Sequence, residues 1–437
     1  MTTSPLKHAS SADGFVTDSP TSRRSGLLQA IGPGVMYAGA AIGVSHLVQS
    51  TRAGAGYGFT LIWAVIAAHL LKYPFFEFAH RYTATTGESL LCGYRRVGRW
   101  TLPGYLLIAL TSSVPSAAVL TIVTAGMASQ LFPVSLTPMA WAVLLLACCA
   151  AVLASGGYSL LDRLMKLLMV FLAVATCVAV VGAVWHGPTG APDVSPPKVW
   201  SSAGIVFLVA LMGWMPTPVD ASVWPSLWMQ ERMKQTRHRA TLREALFDFH
   251  LGYAGSLLTS VMFLSLGALV MFGTGKAFAG RAHDFAAQFV GMYARALGGW
   301  SRPVVTAAAF VTMLSTMLTV LDGYPRVLTA GCRLAWPRAE AHERLLYWAY
   351  LSLMIVGALL VYGFLTSHMQ TLVDFATTVA FLSAPLLAYL NCRAVSAGGV
   401  PHDALPRLWL RILSWLGLAF LLCFSALYVV VRVFHAI

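Results

Sequence analysis

Two short stretches hold the residue types that could do chemistry in an otherwise apolar chain. The first runs from Gly32-Pro33-Gly34 through Gly39 and Gly43 to Ser45-His46 and Gln49-Ser50-Thr51. The second is Gly213-Trp214-Met215-Pro216-Thr217-Pro218, followed by Asp220 and Ser222. Imidazole, carboxylate, hydroxyls and the backbone carbonyls that glycine and proline release make binding sites for a cation or a polar solute. Pro216 and Pro218 lack an N–H and obstruct the preceding turn, so the helix that carries them is interrupted. His46, with an unperturbed pKa of about 6.5, binds a metal when neutral or carries a proton. A lone histidine in an apolar run can also be a satisfied core residue; its place inside the break favours the site reading. Asp220 supplies an anionic ligand, accepts a proton, or caps the helical segment that follows it.

Other ionisable residues fall inside apolar runs, where charge is expensive and points to function. Asp322 and Arg326 stand at i, i+4, the spacing of an ion pair on one helix face; such a pair is structural or serves ion or proton coupling. Glu77, with His80 and Arg81 beyond it, is a solvated helix-end charge or part of a proton route. Asp374 reads as a helix-start charge, as do Asp248 and His250. There is no P-loop, nucleophile elbow or HExxH, so the chain is not expected to be an enzyme.

The elements that must position these residues are long apolar helices. Of 437 residues, 58% are hydrophobic and 10% charged, against about 25% charged in soluble domains. Mean hydropathy is +0.71. A crossing takes about 20 apolar residues, and eleven candidate spans follow: 29–51, 57–79, 103–129, 137–155, 160–185, 203–229, 247–272, 301–327, 345–365, 370–392 and 408–433. The runs are continuous rather than alternating, which excludes a β-barrel. The seven cysteines, without a CxxC pair, read as small core residues. The formal charge of +13 lies in short loops, which argues against nucleic acid as a partner. With the N-terminus inside, 21 of the 29 Lys and Arg fall on the cytoplasmic side and 7 outside, with Lys72 within the second span. That bias predicts a multi-pass protein of the inner or plasma membrane, N-terminus cytoplasmic and C-terminus outside. Residues 1–27 read as a disordered cytoplasmic tail, 28–392 as a ten-helix core, and 393–437 as an eleventh span and C-terminus. Phe278, Phe285, Phe289 and Tyr293 recur at helical spacing and predict a short interfacial helix within 274–299.

The broken spans are the first and the sixth, corresponding members of two five-span halves of opposite orientation. Paired interrupted helices in inverted repeats point to a transporter's midplane site.

At these residues the chain resembles the natural-resistance-associated macrophage protein (Nramp) family of proton-coupled divalent-metal transporters. Gly32-Pro33-Gly34 opens the first span as in many members. Residues Ala53-Gly54-Ala55-Gly56-Tyr57-Gly58-Phe59-Thr60-Leu61-Ile62-Trp63 match the linker into the second span, Ala84-Thr85-Thr86-Gly87-Glu88-Ser89-Leu90 the stretch after it, and Met215-Pro216 the start of the family's Met-Pro-His. The resemblance implies an all-α, LeuT-type five-plus-five inverted repeat with broken helices 1 and 6. It also implies a metal site in which Gly43 stands at the place of the family's ligand Asp, His46 at its Asn, and Thr217 at its His. The thioether of Met215 and a carbonyl near Met212 are retained. A site of imidazole, thioether and carbonyls has no formal charge; it suits a soft or borderline ion better than Mg²⁺ or Ca²⁺. The expected function is therefore secondary transport of a divalent metal, with a proton as possible coupling ion through Asp220, Asp322, Arg326 or Glu77 and no permanently bound cofactor. A small organic solute or amino acid is the alternative cargo, and the oligomeric state is left open.

Overall fold

The computed structural model describes residues 31–434 except 189, 191–193, 276–278, 366–368 and 398. The expected N-terminal tail and Phe278 lie outside the described residues. Among those described there are helices and no strands. The helices are α1 (Pro33–Ala41), α2 (Thr51–Tyr57), α3 (Ile62–Thr86), α4 (Leu90–Val97), α5 (Thr101–Leu131), α6 (Pro138–His186), α7 (Ser202–Gly213), α8 (Trp224–Thr236), α9 (Leu242–Val270), α10 (Ala282–Leu297), α11 (Ser301–Ala335), α12 (Glu343–Leu365), α13 (Met369–Ser396) and α14 (Leu408–Phe434).

Both expected breaks are present. The first span is α1, an irregular step at Ile42–Gly43, a π-helical turn over Val44–Ser50, and α2. The sixth is α7, an unwound stretch through Pro218, a 3₁₀ turn over Val219–Val223, and α8. One 49-residue helical element, α6, covers the expected spans 137–155 and 160–185. At 1.5 Å per residue a straight helix of that size would measure about 74 Å, more than twice a ~30 Å hydrocarbon core. Its neighbours show that it turns back. Trp141 shares a cavity with Arg281 and His283. Leu153 and Ala154 lie with Glu343 and Arg344 at the arginine-rich end of the bundle. Ala175 and Thr176 are again beside Phe289 and Tyr293 of α10. The chain thus reverses between residues 154 and 175. Among the described residues, eight stretches qualify as membrane spans by length and composition alone, against the eleven expected. One of the eight, Pro33–Thr86, joins the first two spans, and the apolar helices Ala173–Trp185 and Ser202–Gly213 are short.

Several charges expected to be bland hold distant elements together. Asp248 on α9 does not serve its own helix start: its carboxylate accepts from the backbone N–H of Gly32 (3.1 Å) and Gly34 (2.6 Å), at the exposed-donor end of α1. Glu77 is not solvated; it is buried and paired with Arg81 at 2.6 Å, while Arg81 Nη1 donates to Ala404 O before α14. Asp374 lies inside α13, not at its start, and pairs with Arg52 of α2 at 2.9 Å, with Gln49 also donating to it. The predicted interfacial helix is α10. Its Phe285, Phe289 and Tyr293 are buried in protein rather than laid on lipid, packed against α5, α6 and α11.

Candidate cation site between the broken helices

The two breaks touch. Ser45 Oγ lies 3.3 Å from Pro216 O and 2.7 Å from Ala41 O, so one hydroxyl reaches carbonyls of both spans. A small cavity of about 30 Å³ sits there, lined among others by Ser45, Thr217, Pro218, Ser116 and Tyr324. Backbone freed within a membrane is tolerated where it is buried in protein or faces such a cavity.

His46 is fully buried, and both ring nitrogens are engaged. Nδ1 is 2.7 Å from Ser45 Oγ, and Nε2 is 2.9 Å from Ser256 Oγ and 3.0 Å from Ser256 O. His69 of α3 meets it edge-on, with ring centroids 6.1 Å apart, and shares Ser256 Oγ at 3.4 Å. Ligation of a metal by His46 therefore requires one serine contact to open. Met215 is buried as well. The cavity between the breaks is lined by Ser45 and Thr217, not by His46 and Met215.

Gly43 has no side chain, and Thr316 of α11 takes the space. A Cβ on Gly43 would lie 2.6 Å from Thr316 Oγ1 and from its Cγ2. The Thr316 hydroxyl lies within hydrogen-bond reach of Gly39 O (2.9 Å) and Ile42 O (3.0 Å), carbonyls left over where α1 ends.

The Met212 carbonyl, expected as a metal ligand, already has a cation on it. Lys72 Nζ donates to Met212 O at 2.6 Å and to Gly213 O at 3.0 Å. Its ammonium is wholly buried and lies 6.0 Å from the centroid of the Phe381 ring.

Asp220 is not an N-cap: it sits within the 3₁₀ turn, whose preceding residue is Pro218. It is buried; Oδ2 accepts from Tyr324 OH at 2.9 Å, while Oδ1 has no hydrogen-bond partner among the described residues. Tyr105 OH donates to its backbone carbonyl. Asp322 and Arg326 form a two-point ion pair (2.7 and 2.9 Å), and Trp228 and Tyr347 also donate to Asp322. Among the described residues no three His, Cys, Asp or Glu side chains cluster as a ready metal cage.

Sequence reasoning passed over Lys72, Thr316 and His69. Lys72 carried a usable signal, a solitary ammonium within an apolar span. Thr316 carried none, since a threonine in a helix is ordinary.

The same arrangement of helices recurs in solved structures. A manganese transporter of Eremococcus coleocola superposes with a TM-score of 0.72 at 13% identity, covering 94% of this chain and 87% of that one. A second structure of that transporter, bound to an aromatic bis-isothiourea substituted compound, gives 0.70 at 14% with the same coverage. MhsT in complex with L-phenylalanine gives 0.62 at 15% identity, over 94% of this chain and 98% of that one. At these identities the likeness shows the fold: an all-helical, LeuT-type transporter scaffold. In sequence, the uncharacterized protein PM0681 of Pasteurella multocida (strain Pm70) is 33% identical over 406 residues, 92% of each chain. Residues 34–431 match the family described as natural resistance-associated macrophage protein-like. That match takes in both broken spans and nearly every helix described above, and the chain belongs to this family.

Proposed function

We propose that the protein is a secondary transporter that carries a divalent metal cation, Mn²⁺- or Fe²⁺-like or softer, through the cavity between its broken spans, coupled to a proton. The observation that carries this reading is the contact of the two breaks at Ser45 and Pro216, with unwound carbonyls from both spans around it. Interrupted helices meeting in this way build the midplane sites of inverted-repeat transporters. His46 and Met215 are buried beside the breaks without lining that cavity; their imidazole and thioether are donors suited to borderline or soft ions, and His46 becomes available when one of its serine contacts opens. The fold shared with a manganese transporter supports the same cargo class.

Among the coupling candidates, Glu77 is closed on Arg81, and Asp322 on Arg326. Asp220 keeps a carboxylate oxygen without a hydrogen-bond partner among the described residues, and the coupling role goes to it. The 21-to-7 distribution of basic residues supports a cytoplasmic N-terminus.

The test is flux into proteoliposomes holding the full chain, with Mn²⁺, Fe²⁺, Zn²⁺, Cd²⁺ and a panel of organic solutes, with and without an inward proton gradient. Metal uptake that rises with the gradient is expected. Asp220→Asn keeps the shape and an acceptor for Tyr324 but removes the charge; its gradient-driven uptake should fall at least tenfold while the protein stays monodisperse. Uptake of an organic solute with none of the metals would overturn the reading.

A further inference from the structure

In transporters built on broken helices, the C-terminal ends of half-helices and the unwound carbonyls beside them hold the coupling or cargo cation. The reason is electrostatic: the last carbonyls of a helix have no intrahelical donor, and the helix dipole makes that end negative. Here the half-helix is α7. Its last carbonyls, at Met212 and Gly213, are both met by the ammonium of Lys72, reaching across from α3. The ammonium is removed from water, faces Phe381, and interacts electrostatically with the buried carboxylate of Asp220. The carbonyl end is thus filled by a cation that the chain itself supplies.

We propose that Lys72 is a tethered cation occupying a cation-binding site made of the Met212 and Gly213 carbonyls, and that a transported cation binds there by displacing its ammonium. This rests on the metal-transport reading given above and names the residue that sets the affinity of the site. A free dication and the ammonium cannot share two carbonyls, and their repulsion in a poorly polarisable interior is strong. Once the ammonium swings away, Asp220 is left without that neutralising charge. Lys72 also excludes ions too weakly bound to displace it, so the site is selective by competition rather than by a charged cage.

Two variants separate this from a purely structural cap. Lys72→Gln keeps N–H donors for the carbonyls and removes the charge; Lys72→Met keeps the stem and removes both. Mn²⁺ and Cd²⁺ binding is titrated by calorimetry on the full-length wild type, both variants and Lys72→Arg in nanodiscs, each checked for a single gel-filtration peak. Displacement predicts dissociation constants at least tenfold lower for Lys72→Gln than for wild type, with no such tightening in Lys72→Arg. Should Lys72→Met fail to fold, Lys72→Gln alone decides. If wild type binds metal and folded Lys72→Gln binds it equally or more weakly, the tethered-cation proposal is overturned and the metal reading survives. If neither binds either ion, the metal reading itself is overturned and takes this proposal with it. Binding by Lys72→Gln where wild type shows none would mean that the ammonium blocks the carbonyls and is not displaced, and would overturn the proposal.

Discussion

Replacing Asp322 alone with alanine is expected to damage the fold more than replacing Asp322 and Arg326 together. Asp322 is 1% exposed and accepts four hydrogen bonds: two from Arg326, one from the Trp228 indole and one from the Tyr347 hydroxyl. Removing the carboxylate leaves those donors unanswered and strands a guanidinium whose side chain is only 21% exposed. Breaking a buried pair by deleting one partner costs about 3–5 kcal/mol. Two features lower the figure here. Arg326 borders a cavity open toward Glu343 and Arg344, and Glu231 lies 4.0 Å from it. We therefore expect a loss of about 2–4 kcal/mol for Asp322→Ala. The double variant Asp322→Ala/Arg326→Met no longer buries an uncompensated charge and should recover part of that loss. Thermal unfolding followed by size-exclusion fluorescence reads the order directly. A single variant as stable as the wild type, with uptake abolished, would assign the pair to coupling rather than to structure.

How much of this was legible in the sequence depends on how far each cause reaches along the chain. The breaks were legible because their causes are local: Pro216 and Pro218 interrupt their own helix, and Gly43 sits at the step in the first. So was the ion pair, four residues apart on one helix. The reversal inside α6 was legible as two apolar runs, 137–155 and 160–185, although residues 138–186 form a single helical element. Interactions across the bundle left no such trace. Nothing near Asp248 announces that it serves the N–H groups of Gly32 and Gly34, and nothing near Asp374 announces Arg52. Lys72 advertised itself as a buried charge but not its destination 140 residues away. The family resemblance named positions for a metal site; it did not say what fills the space where a ligand is missing.

That space decides what happens when the carboxylate is put back. Gly43→Asp by itself is expected to fail as a repair. The new Cβ would lie 2.6 Å from both Thr316 Oγ1 and Cγ2, inside van der Waals contact, and the step at Gly43 is buried on all sides. Overpacking of this kind costs about 1–3 kcal/mol. An aspartate also cannot take over the Thr316 hydrogen bond, because a carboxylate has no proton to give to Gly39 O or Ile42 O. Adding Thr316→Ala removes the two nearest atoms and releases those carbonyls, and the Thr316 Cβ position at 2.9 Å is absorbed by a small shift. The double variant then presents a carboxylate and two free carbonyls at the break. A carboxylate beside a dication is worth several kcal/mol even at an effective dielectric of about 20, whereas a tenfold gain in affinity needs only about 1.4 kcal/mol. Mn²⁺ and Cd²⁺ titrations should therefore give dissociation constants at least tenfold lower for Gly43→Asp/Thr316→Ala than for wild type. Gly43→Asp should show a lower melting temperature and a smaller gain. A single variant that binds as tightly as the double at undiminished stability would mean that Thr316 does not occupy the ligand's place. A double variant no tighter than wild type would mean that the break at Gly43 is not where the cation sits.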